Sequence, residues 1–451
     1  MGLILFIAFV VLELAFVVIT FAKQCEKVNW IKNRALFRIV EFMILLLVLA
    51  VPGISSKWRF YGCFVILLLR LLFAGIAFLL KRKKASGSKS KAGVAVGAVL
   101  SILLIGFSLV PAFIFTGYSG LENTGKYEVK HTKAILVDRS RIDSFEDDGS
   151  FREVPAHFYY PDSTGDSFPL IVFAHGAFGY YESNYSTYTE LASNGYVVVS
   201  LDHPHHAFFT EDTDGNIVTV DTDFIMGAIN ATNGDIPYDE TLKLSHEWLK
   251  LRTDDESFVL DTIKLAKSEG TLSDVWQTDY EKEILDVIKM TDVDAIGLMG
   301  HSLGGAESVQ VGRERSDIKA VIDIDGTMFG EWLEYNNGEY VYINEPYPVP
   351  LLEFSNESAY NGIKRDKANS DLTYVNTNTI NRAVDGRLVM FKNTEHMDFT
   401  DLPLISPFFA LMLGKGTVNS EEFLPEMNGI ILDYFDYYLK GEGTLNIKEC
   451  Y

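Results

Sequence analysis

The stretch GLMGHSLGGAES, residues 297–308, decides the fold. The apolar segment that leads into it, DAIGLMG (294–300), has the composition of a buried β-strand, and the residues after Ser302 favour a helix over 303–313. A Gly-x-Ser-x-Gly pentad between a strand and a helix is typical of a nucleophile elbow, a sharp turn that presents the serine Oγ at the edge of a sheet. Glycine is needed two residues before and two after the serine, because a side chain there would collide with the strand or the helix. The sequence therefore predicts Ser302 as a nucleophile.

Short β-rich segments alternate with helical ones around this motif. Such alternation predicts a mostly parallel sheet with helices on both faces over residues 127–451. Together with the nucleophile elbow, it indicates the α/β-hydrolase fold. The predicted strands are PLIVFAH (169–175), YVVVSLD (196–202), DAIGLMG (294–300), KAVIDID (319–325), PLLEFS (near 351–355) and RLVMFKN (387–393), and the predicted helices are 183–195, 241–268, 278–290, 303–313 and 421–439.

A serine hydroxyl is a weak nucleophile, so Ser302 needs a histidine as general base and a carboxylate that orients this histidine. The chain has nine histidines, and in this fold the base follows the nucleophile in the sequence. Only His396 lies far enough after Ser302, in the loop NTEHMDF (393–399) that follows a predicted strand. The sequence predicts His396 as the base.

Three carboxylates are candidates for the acid. Asp323 and Asp325 both end the strand KAVIDID, and the alternation of side chains along a strand points them to opposite faces. Glu357 follows the next predicted strand, where many related hydrolases carry their acid. Asp325 is preferred because it lies at the end of its strand and precedes a glycine turn, whereas Asp323 should point into the flank of the sheet.

An ester hydrolase also needs two backbone N–H groups that point at the negative charge developing on the substrate oxygen. One should belong to Leu303, the residue after the nucleophile. The other is predicted to be that of Ala177, in the loop His175-Gly176-Ala177 after an early strand. The alternative for this loop is a plain strand-to-helix turn.

The first part of the chain is apolar, and four of its stretches are long enough to cross about 30 Å of hydrocarbon as helices. The first stretch has no basic residue before its apolar core and is long for a signal peptide, although a cleaved signal peptide is the alternative. The predicted spans, which define a membrane region at 1–117, are roughly 2–22, 35–54, 60–80 and 92–116.

Basic residues in the connecting loops predict the orientation. Residues 23–34 carry four Lys or Arg and residues 81–91 carry six, whereas the connection between the second and third spans carries only Lys57 and Arg59. Because cytoplasmic loops are enriched in Lys and Arg, both basic loops should face the cytoplasm. The N-terminus and the region 127–451 should then lie outside the cytoplasm.

Three ionisable residues fall inside the predicted spans: Glu13, Glu41 and Arg70. Charges within hydrocarbon are costly and usually find partners. Glu13 and Arg70 lie at similar depth, so the sequence predicts an interhelical ion pair. A proton or ion path is the alternative, but one pair does not make a relay.

Charge and cysteine content exclude several classes of protein. Residues 1–120 hold 14 Lys+Arg against 3 Asp+Glu, and the remaining residues hold 25 against 58. Such an acidic region would repel a phosphate backbone, so nucleic acid is not expected as a partner. The three cysteines are Cys25, Cys63 and Cys450, so the region between the last two has no disulfide framework, thiol nucleophile or Cys-based zinc site.

The segment EDTDGN (211–216) centres on Asp214-Gly215, which favours a hairpin turn. It also half-resembles a calcium-binding loop. The register that places Gly215 at the sixth position puts Thr210 at the first, where a carboxylate belongs. The turn is therefore favoured, and no metal is predicted.

The region from roughly 155 to 440 resembles, in patches, the platelet-activating factor acetylhydrolase family of α/β-hydrolases, in its plasma-type and bacterial branch. The resemblance implies a metal-independent serine esterase without a cofactor, acting on short or oxidised acyl chains of phospholipids, with Asp325 as the acid. The segments that carry it are FAHGAFGYYESNYSTYTELASNGYVVVSLDH (173–203), GHSLGGAES (300–308), DIDGTMF (323–329), PLLEFSNES (350–358) and NTEHMDFTD (393–401).

Two features depart from that family. The predicted membrane helices are an addition, and residues 205–290 follow the family poorly apart from Arg252 and the FVLD run at 258–261. Because 205–290 would shape the acyl pocket, substrate identity is the property that carries over least.

The sequence as a whole predicts a membrane-anchored serine hydrolase that cleaves carboxylic esters of short-chain or lipid acyl groups. Its expected partners are an ester or phospholipid-like substrate and the lipid bilayer, since a membrane anchor raises the local concentration of lipid esters. The alternatives are a polyester or cutinase-like esterase, an acyltransferase, and a non-enzymatic membrane sensor of a ligand. The complete Ser, His and Asp set argues against the sensor.

Overall fold

The computed structural model describes residues 1–51, 56–365 and 371–451, and the chain divides into two compact units. The helical unit consists of Met1–Ser119 and Pro403–Met412. The sheet unit consists of Gly120–Leu402 and Leu413–Tyr451. Each unit has its own core of buried apolar side chains, so each can be described by itself.

The helical unit is built from long helices with apolar sequences. The last predicted span is shorter than expected, because its helix ends at Ser108 and Pro111 lies in the first turn of a separate short helix. Proline has no N–H to donate, so it is favoured at the start of a helix and not in its middle. The helices are α1 (Gly2–Ala22), α2 (Lys27–Ala50), α3 (Tyr61–Lys81), α4 (Lys91–Ser108) and α5 (Val110–Ile114).

Three helices in the described part of the chain are long and apolar enough to cross a membrane: Gly2–Ala22, Lys57–Lys81 and Lys91–Ser108. The expectation of four such helices is therefore wrong for the second. Helix α2 forms, but its sequence carries Arg34, Arg38 and Glu41, which lower its apolar character. Residues 52–54, at the end of the predicted span 35–54, lie outside the described residues.

Four ionisable side chains meet inside the helical unit: Glu13 of α1, Arg38 and Glu41 of α2, and Arg70 of α3. Arg38 Nη1 donates to Glu13 Oε1 at 2.6 Å and Arg38 Nη2 to Glu13 Oε2 at 3.1 Å, while Arg70 also donates to Glu13. Arg38 further donates to Glu41, and Arg70 Nη1 lies 3.5 Å from Glu41 Oε2. The contact predicted between Glu13 and Arg70 is present, and it belongs to a network of two carboxylates and two guanidiniums with no net charge.

Within the described residues, the sheet unit contains a nine-stranded sheet and two short hairpins. Its strands are β1 (Val129–Ile142), β2 (Phe151–Pro161), β3 (Phe168–Ala174), β4 (Val197–Leu201), β5 (Phe209–Glu211), β6 (Ile217–Thr219), β7 (Trp276–Gln277), β8 (Thr291–His301), β9 (Ile318–Ile324), β10 (Trp332–Asn336), β11 (Glu339–Tyr342), β12 (Leu351–Asn356) and β13 (Gly386–Phe391).

The strands of the large sheet lie in the order β13-β12-β9-β8-β3-β4-β2-β1-β7. The six strands from β13 to β4 run parallel, and β2, β1 and β7 pair antiparallel at one side. The six strands that the sequence predicts are those six parallel strands, so the mostly parallel sheet is confirmed. Strands β3 and β4 are buried along their whole length, which fits their continuous apolar sequences and a sheet covered on both faces.

Helices connect and cover these strands. The longest, α8, follows Pro237 and ends at Gly270, which adopts a left-handed conformation (φ 71°) that residues with a side chain rarely adopt. The helices are α6 (Tyr185–Ser193), α7 (Thr222–Asn233), α8 (Tyr238–Glu269), α9 (Glu281–Met290), α10 (Leu303–Glu314), α11 (Glu357–Arg365), α12 (Asp371–Asn381), α13 (Leu402–Ile405), α14 (Pro407–Met412) and α15 (Ser420–Phe435), with α14 and most of α13 belonging to the helical unit.

The segment 211–216 forms the turn between β5 and β6. The N–H groups of Asp214 and Asn216 donate to the Asp212 carboxylate, and Gly215 has a φ of +81°. The carboxylate therefore accepts hydrogen bonds from the turn itself, which is the hairpin geometry favoured by the sequence.

The network of Glu13, Arg38, Glu41 and Arg70 predicts that charge-changing substitutions have coupled effects on the stability of the helical unit. Glu13→Gln leaves the network with a net positive charge and should destabilise the helical unit by about 3–5 kcal/mol. Arg70→Gln leaves a net negative charge and should also destabilise it. The double variant restores neutrality, so it should be more stable than the sum of the single losses implies. Thermal unfolding of the full chain in detergent micelles measures all three, and additive losses would contradict the coupling.

Candidate active site

Ser302 lies in a backbone conformation that side chains rarely adopt, with φ 57° and ψ −121°, between β8 and α10. The flanking glycines explain how the chain tolerates this turn. A Cβ at Gly300 would lie 2.2 Å from the carbonyl oxygen of Gly304, and a Cβ at Gly304 would lie 2.1 Å from that of Ala174. The strand, the turn and the helix therefore approach one another more closely than any side chain permits.

His396 and Asp325 are joined by a hydrogen bond between His396 Nδ1 and Asp325 Oδ2 at 2.6 Å. Asp325 directly follows β9, and His396 begins a short 3₁₀ helix after β13, so both lie beyond the carboxyl ends of parallel strands. The Asp325 side chain is only 5% exposed, whereas His396 is 40% exposed. Burial raises the pKa of Asp325, but hydrogen bonds with His396 and Asn356 outweigh burial and hold that pKa below its ordinary value.

Asn356 holds Asp325 in place, and the sequence did not single it out. Its backbone N–H donates to Asp325 Oδ1 at 2.8 Å, and its side-chain Nδ2 donates to both carboxylate oxygens at 3.0 and 2.8 Å. Asn356 immediately precedes Glu357, the residue considered for the acid. The end of this strand therefore holds the carboxylate of Asp325 through Asn356.

The other carboxylate candidates lie elsewhere. Glu357 Oε2 accepts a hydrogen bond from the backbone N–H of Asn393 at 2.6 Å. Asp323 is fully buried and accepts a hydrogen bond from the Gly326 N–H at 2.9 Å. Burial, with the charge of Asp325 nearby, raises the pKa of Asp323 well above its ordinary value. Asp325 is the candidate that contacts His396.

The loop after β3 lies against the nucleophile turn. A Cβ at Gly176 would lie 2.9 Å from His301 Nδ1 and 3.2 Å from the Ser302 Cβ, so only glycine allows this approach. Ala177 follows directly and lines the same cavity as Ser302 and Leu303. Both residues that the sequence predicts as oxyanion donors therefore line the cavity that contains Ser302.

His301 supports the histidine loop from within the elbow. Its Nε2 lies 3.1 Å from the carbonyl oxygen of His396, and the two rings are 4.6 Å apart. Burial, and then the charge of His396, lowers the pKa of His301 to about 3. The ring is therefore neutral at physiological pH, so its Nε2–H can donate to that carbonyl. The Gly-x-Ser-x-Gly motif allows any residue at position 301, so the motif did not indicate this role of His301.

A cavity of about 840 Å³ opens over these residues and is lined by Ala177, Ser302, Leu303, Asp325 and His396. One wall comes from α7 and the start of α8, which belong to the region 205–290 that we expect from the sequence to shape the acyl pocket. The volume of the cavity falls in the range of binding sites for small organic ligands. The apolar and aromatic side chains of this wall and its surroundings include Phe224, Ala228, Ala231, Ile236, Pro237, Tyr238, Trp248, Phe329 and Tyr340.

Within the described ranges, no group of three or more His, Cys, Asp or Glu side chains is arranged to hold a metal ion. The arrangement that is present suits acyl transfer: a serine on a strained turn and a histidine hydrogen-bonded to a carboxylate, both lining one cavity. The strand order of the sheet, and the elbow at the carboxyl end of the parallel strand β8, define an α/β-hydrolase fold.

The chain belongs to the platelet-activating factor acetylhydrolase, isoform II, family, which it matches over residues 149–442. This confirms the resemblance that the sequence motifs carried. A platelet-activating factor acetylhydrolase of Bos taurus is 28% identical over 194 residues, which are 41% of this chain and 40% of that protein. The acetylhydrolase of Cavia porcellus is 25% identical over 297 residues, covering 64% of this chain and 61% of the relative.

A fungal relative, a probable 1-alkyl-2-acetylglycerophosphocholine esterase of Arthroderma benhamiae, is 24% identical over 202 residues, 44% of this chain and 40% of its own length. The chain thus spans less than two thirds of the length of each of these relatives. Among solved structures, a ferulic acid esterase from Streptomyces cinnamoneus superposes with a TM-score of 0.53 at 19% identity, over 73% of this chain and 96% of that one. That likeness supports the α/β-hydrolase fold.

The elbow geometry predicts the effect of a single added carbon. Gly304→Ala places a Cβ against the backbone of β3 and should displace Ser302, with a loss of ester hydrolysis of about 10²-fold or more. Gly429→Ala, in α15, is the matched control because its Cβ would meet nothing within 4 Å. The control should keep full activity and gain up to about 1 kcal/mol in stability. Equal activity of the two variants, measured on purified protein, would contradict the account of the elbow.

Proposed function

We propose that the protein is a membrane-anchored serine esterase that cleaves short-chain or lipid acyl esters by a Ser302-His396-Asp325 triad. The observation that carries the proposal is the 2.6 Å hydrogen bond between His396 and Asp325, which line the same cavity as the elbow serine. Membership of the acetylhydrolase family supports the choice of ester chemistry.

In the proposed mechanism, the Ser302 Oγ attacks the ester carbonyl carbon while His396 Nε2 takes the serine proton. Asp325 holds the imidazole by Nδ1 and stabilises its positive charge. The oxyanion accepts hydrogen bonds from the Ala177 and Leu303 N–H groups. His396 then protonates the leaving alcohol, which leaves the acyl group bound to Ser302. In the second step His396 deprotonates a water molecule, and this water attacks the acyl group and releases the acid from Ser302. No metal or cofactor takes part in these steps.

The substrate class follows from the cavity and the relatives. The wall formed by α7 and α8 is mainly apolar, which favours acyl chains over polar groups. The fungal relative is a probable 1-alkyl-2-acetylglycerophosphocholine esterase. A phospholipid-like ester with a short acyl chain is therefore the proposed substrate, and water is the proposed acyl acceptor.

We further propose that α2 crosses the membrane with the three apolar helices. If only those three crossed, the basic loops 23–34 and 81–91 would lie on opposite sides. With α2 as a fourth crossing both face the cytoplasm, as loop charge favours. The charges of Arg38 and Glu41 are compensated by Glu13 and Arg70, which lowers the cost of placing α2 in hydrocarbon.

The proposed mechanism predicts distinct losses for its members. Ser302→Ala should abolish fluorophosphonate labelling and ester hydrolysis, and Asp325→Asn should lower kcat by about 10⁴-fold because His396 loses its orienting carboxylate. Hydrolysis of p-nitrophenyl acetate and of longer esters by the purified full chain measures both losses and the preferred chain length.

Glu357→Gln is the matched control, because Glu357 is a neighbouring carboxylate that bonds a backbone N–H and not His396. It should retain activity within a few-fold of the wild-type chain. A larger loss in Glu357→Gln than in Asp325→Asn would reassign the acid. Products that carry the acyl group on an added alcohol, with little free acid, would replace hydrolysis by acyl transfer.

The proposed topology predicts an accessible sheet unit. Protease added to intact cells should cut at exposed sites such as the turn 212–216, and a reporter fused after Tyr451 should work only if it is active outside the cytoplasm. An N-terminal tag should be exposed on the same side, because four crossings return the chain to its starting side. Protection of the turn in intact cells, with cleavage after permeabilisation, would invert the topology. A tag and reporter on opposite sides would favour three crossings.

A further inference from the structure

Arg252 of α8 is fully buried and does not line the active-site cavity. Its Nη1 donates to the carbonyl oxygen of His175 at 2.6 Å, and the same atom lies 3.3 Å from Glu307 Oε2. One guanidinium group thus contacts two separate elements, the loop after β3 and the helix α10.

Each of these elements carries one of the proposed oxyanion donors. His175 precedes Ala177 by two residues, and Glu307 follows Leu303 by four, about one helical turn. The two elements belong to different βα connections, so the chain itself does not fix their separation. Arg252 spans them behind the nucleophile turn, where Gly176 already lies against His301 and Ser302.

A chain of buried charges holds Arg252 in this position. Glu307 Oε1 lies 3.2 Å from His203 Nε2, His203 Nδ1 lies 3.0 Å from Asp255 Oδ2, and Asp255 pairs with Arg152 at 2.8 Å. All of these side chains are at most 2% exposed. Because each charge has an opposite neighbour, the guanidinium has little freedom to reorient.

The Nε side of Arg252 is held as well. Arg252 Nε donates to His206 Nδ1 at 3.3 Å. Burial, and then the positive charge of Arg252, lowers the pKa of His206 well below its ordinary value, so the ring is neutral and can accept this bond. The planar guanidinium is therefore fixed at Nε and at Nη1, which a lysine ammonium could not reproduce.

We infer that Arg252 is a positioning residue, which sets the separation of the Ala177 and Leu303 N–H groups by bridging the His175 carbonyl and the Glu307 carboxylate. The inference rests on the proposed function, since it assigns a role within that site. Oxyanion donors act only when preorganised at hydrogen-bond distance from the developing charge, and loss of one donor costs about 10²–10³ in kcat. A shift of the loop relative to α10 should act on the transition state more than on the bound substrate.

The test compares Arg252→Gln and Arg252→Lys with the wild-type full chain. Fluorophosphonate labelling to completion counts intact sites, and kcat is then expressed per labelled site. We expect kcat per labelled site to fall about 10²-fold in the Gln variant and less in the Lys variant, with KM changed by less than about threefold. Inhibition by a boronic acid, whose tetrahedral adduct mimics the oxyanion, should weaken in proportion to the loss in kcat.

Arg313→Gln is the matched control, because Arg313 lies on the same helix α10 and pairs with Glu331 Oε2 at 2.6 Å away from the cavity. It should lower the melting temperature and leave kcat per labelled site unchanged. If Arg252→Gln does not fold, Glu307→Gln carries the test, since it keeps the side-chain shape and removes the charge that fixes Arg252.

Fewer labelled sites with a wild-type kcat per site would overturn the inference and leave Arg252 with a role in stability alone. A rise in the KM of Arg252→Gln without a loss of kcat per labelled site would also overturn the inference. Absence of labelling and hydrolysis in the wild-type chain would instead remove the proposed function, so the two failures are distinguishable.

Discussion

The backbone turn at Ser302 is the constraint on which the rest of the sheet unit depends. A strand and a helix meet there with no room for a side-chain carbon at Gly300 or Gly304. Because the turn brings α10 against the end of β3, the loop after β3 passes directly beside the serine. The neighbouring parallel strands then place the residues that follow them, Asp325 after β9 and His396 after β13, at the same edge.

Both units bury charge, and in both the buried charges lie beside opposite charges. In the helical unit, Glu13 and Glu41 face Arg38 and Arg70. In the sheet unit, Arg252 and Glu307 continue to Asp255 through His203. A buried charge without a partner is very costly, so each network imposes one arrangement on the elements that contribute to it. The first joins three helices, and the second joins a loop to two helices behind the proposed site.

Helix α7 and the start of α8 form one wall of the cavity, to which they supply Phe224, Ala228 and Trp248. Ser302, Asp325 and His396, which line the same cavity, come from other elements of the sheet unit. The proposed catalytic residues and the apolar wall of the cavity therefore come from different segments of the chain.

The sequence by itself determined the parallel strands, the elbow and the order of Ser302, Asp325 and His396, because these depend on local composition and on the chain order of a known fold. It did not reveal the antiparallel pair β1 and β2, the role of Asn356, or the return of residues 403–412 to the helical unit. It also overestimated the apolar character of α2. Contacts such as Arg252 with His175 join residues 77 positions apart. Only the tertiary structure decides these contacts, because they arise from packing between elements and leave no periodicity or motif in the chain.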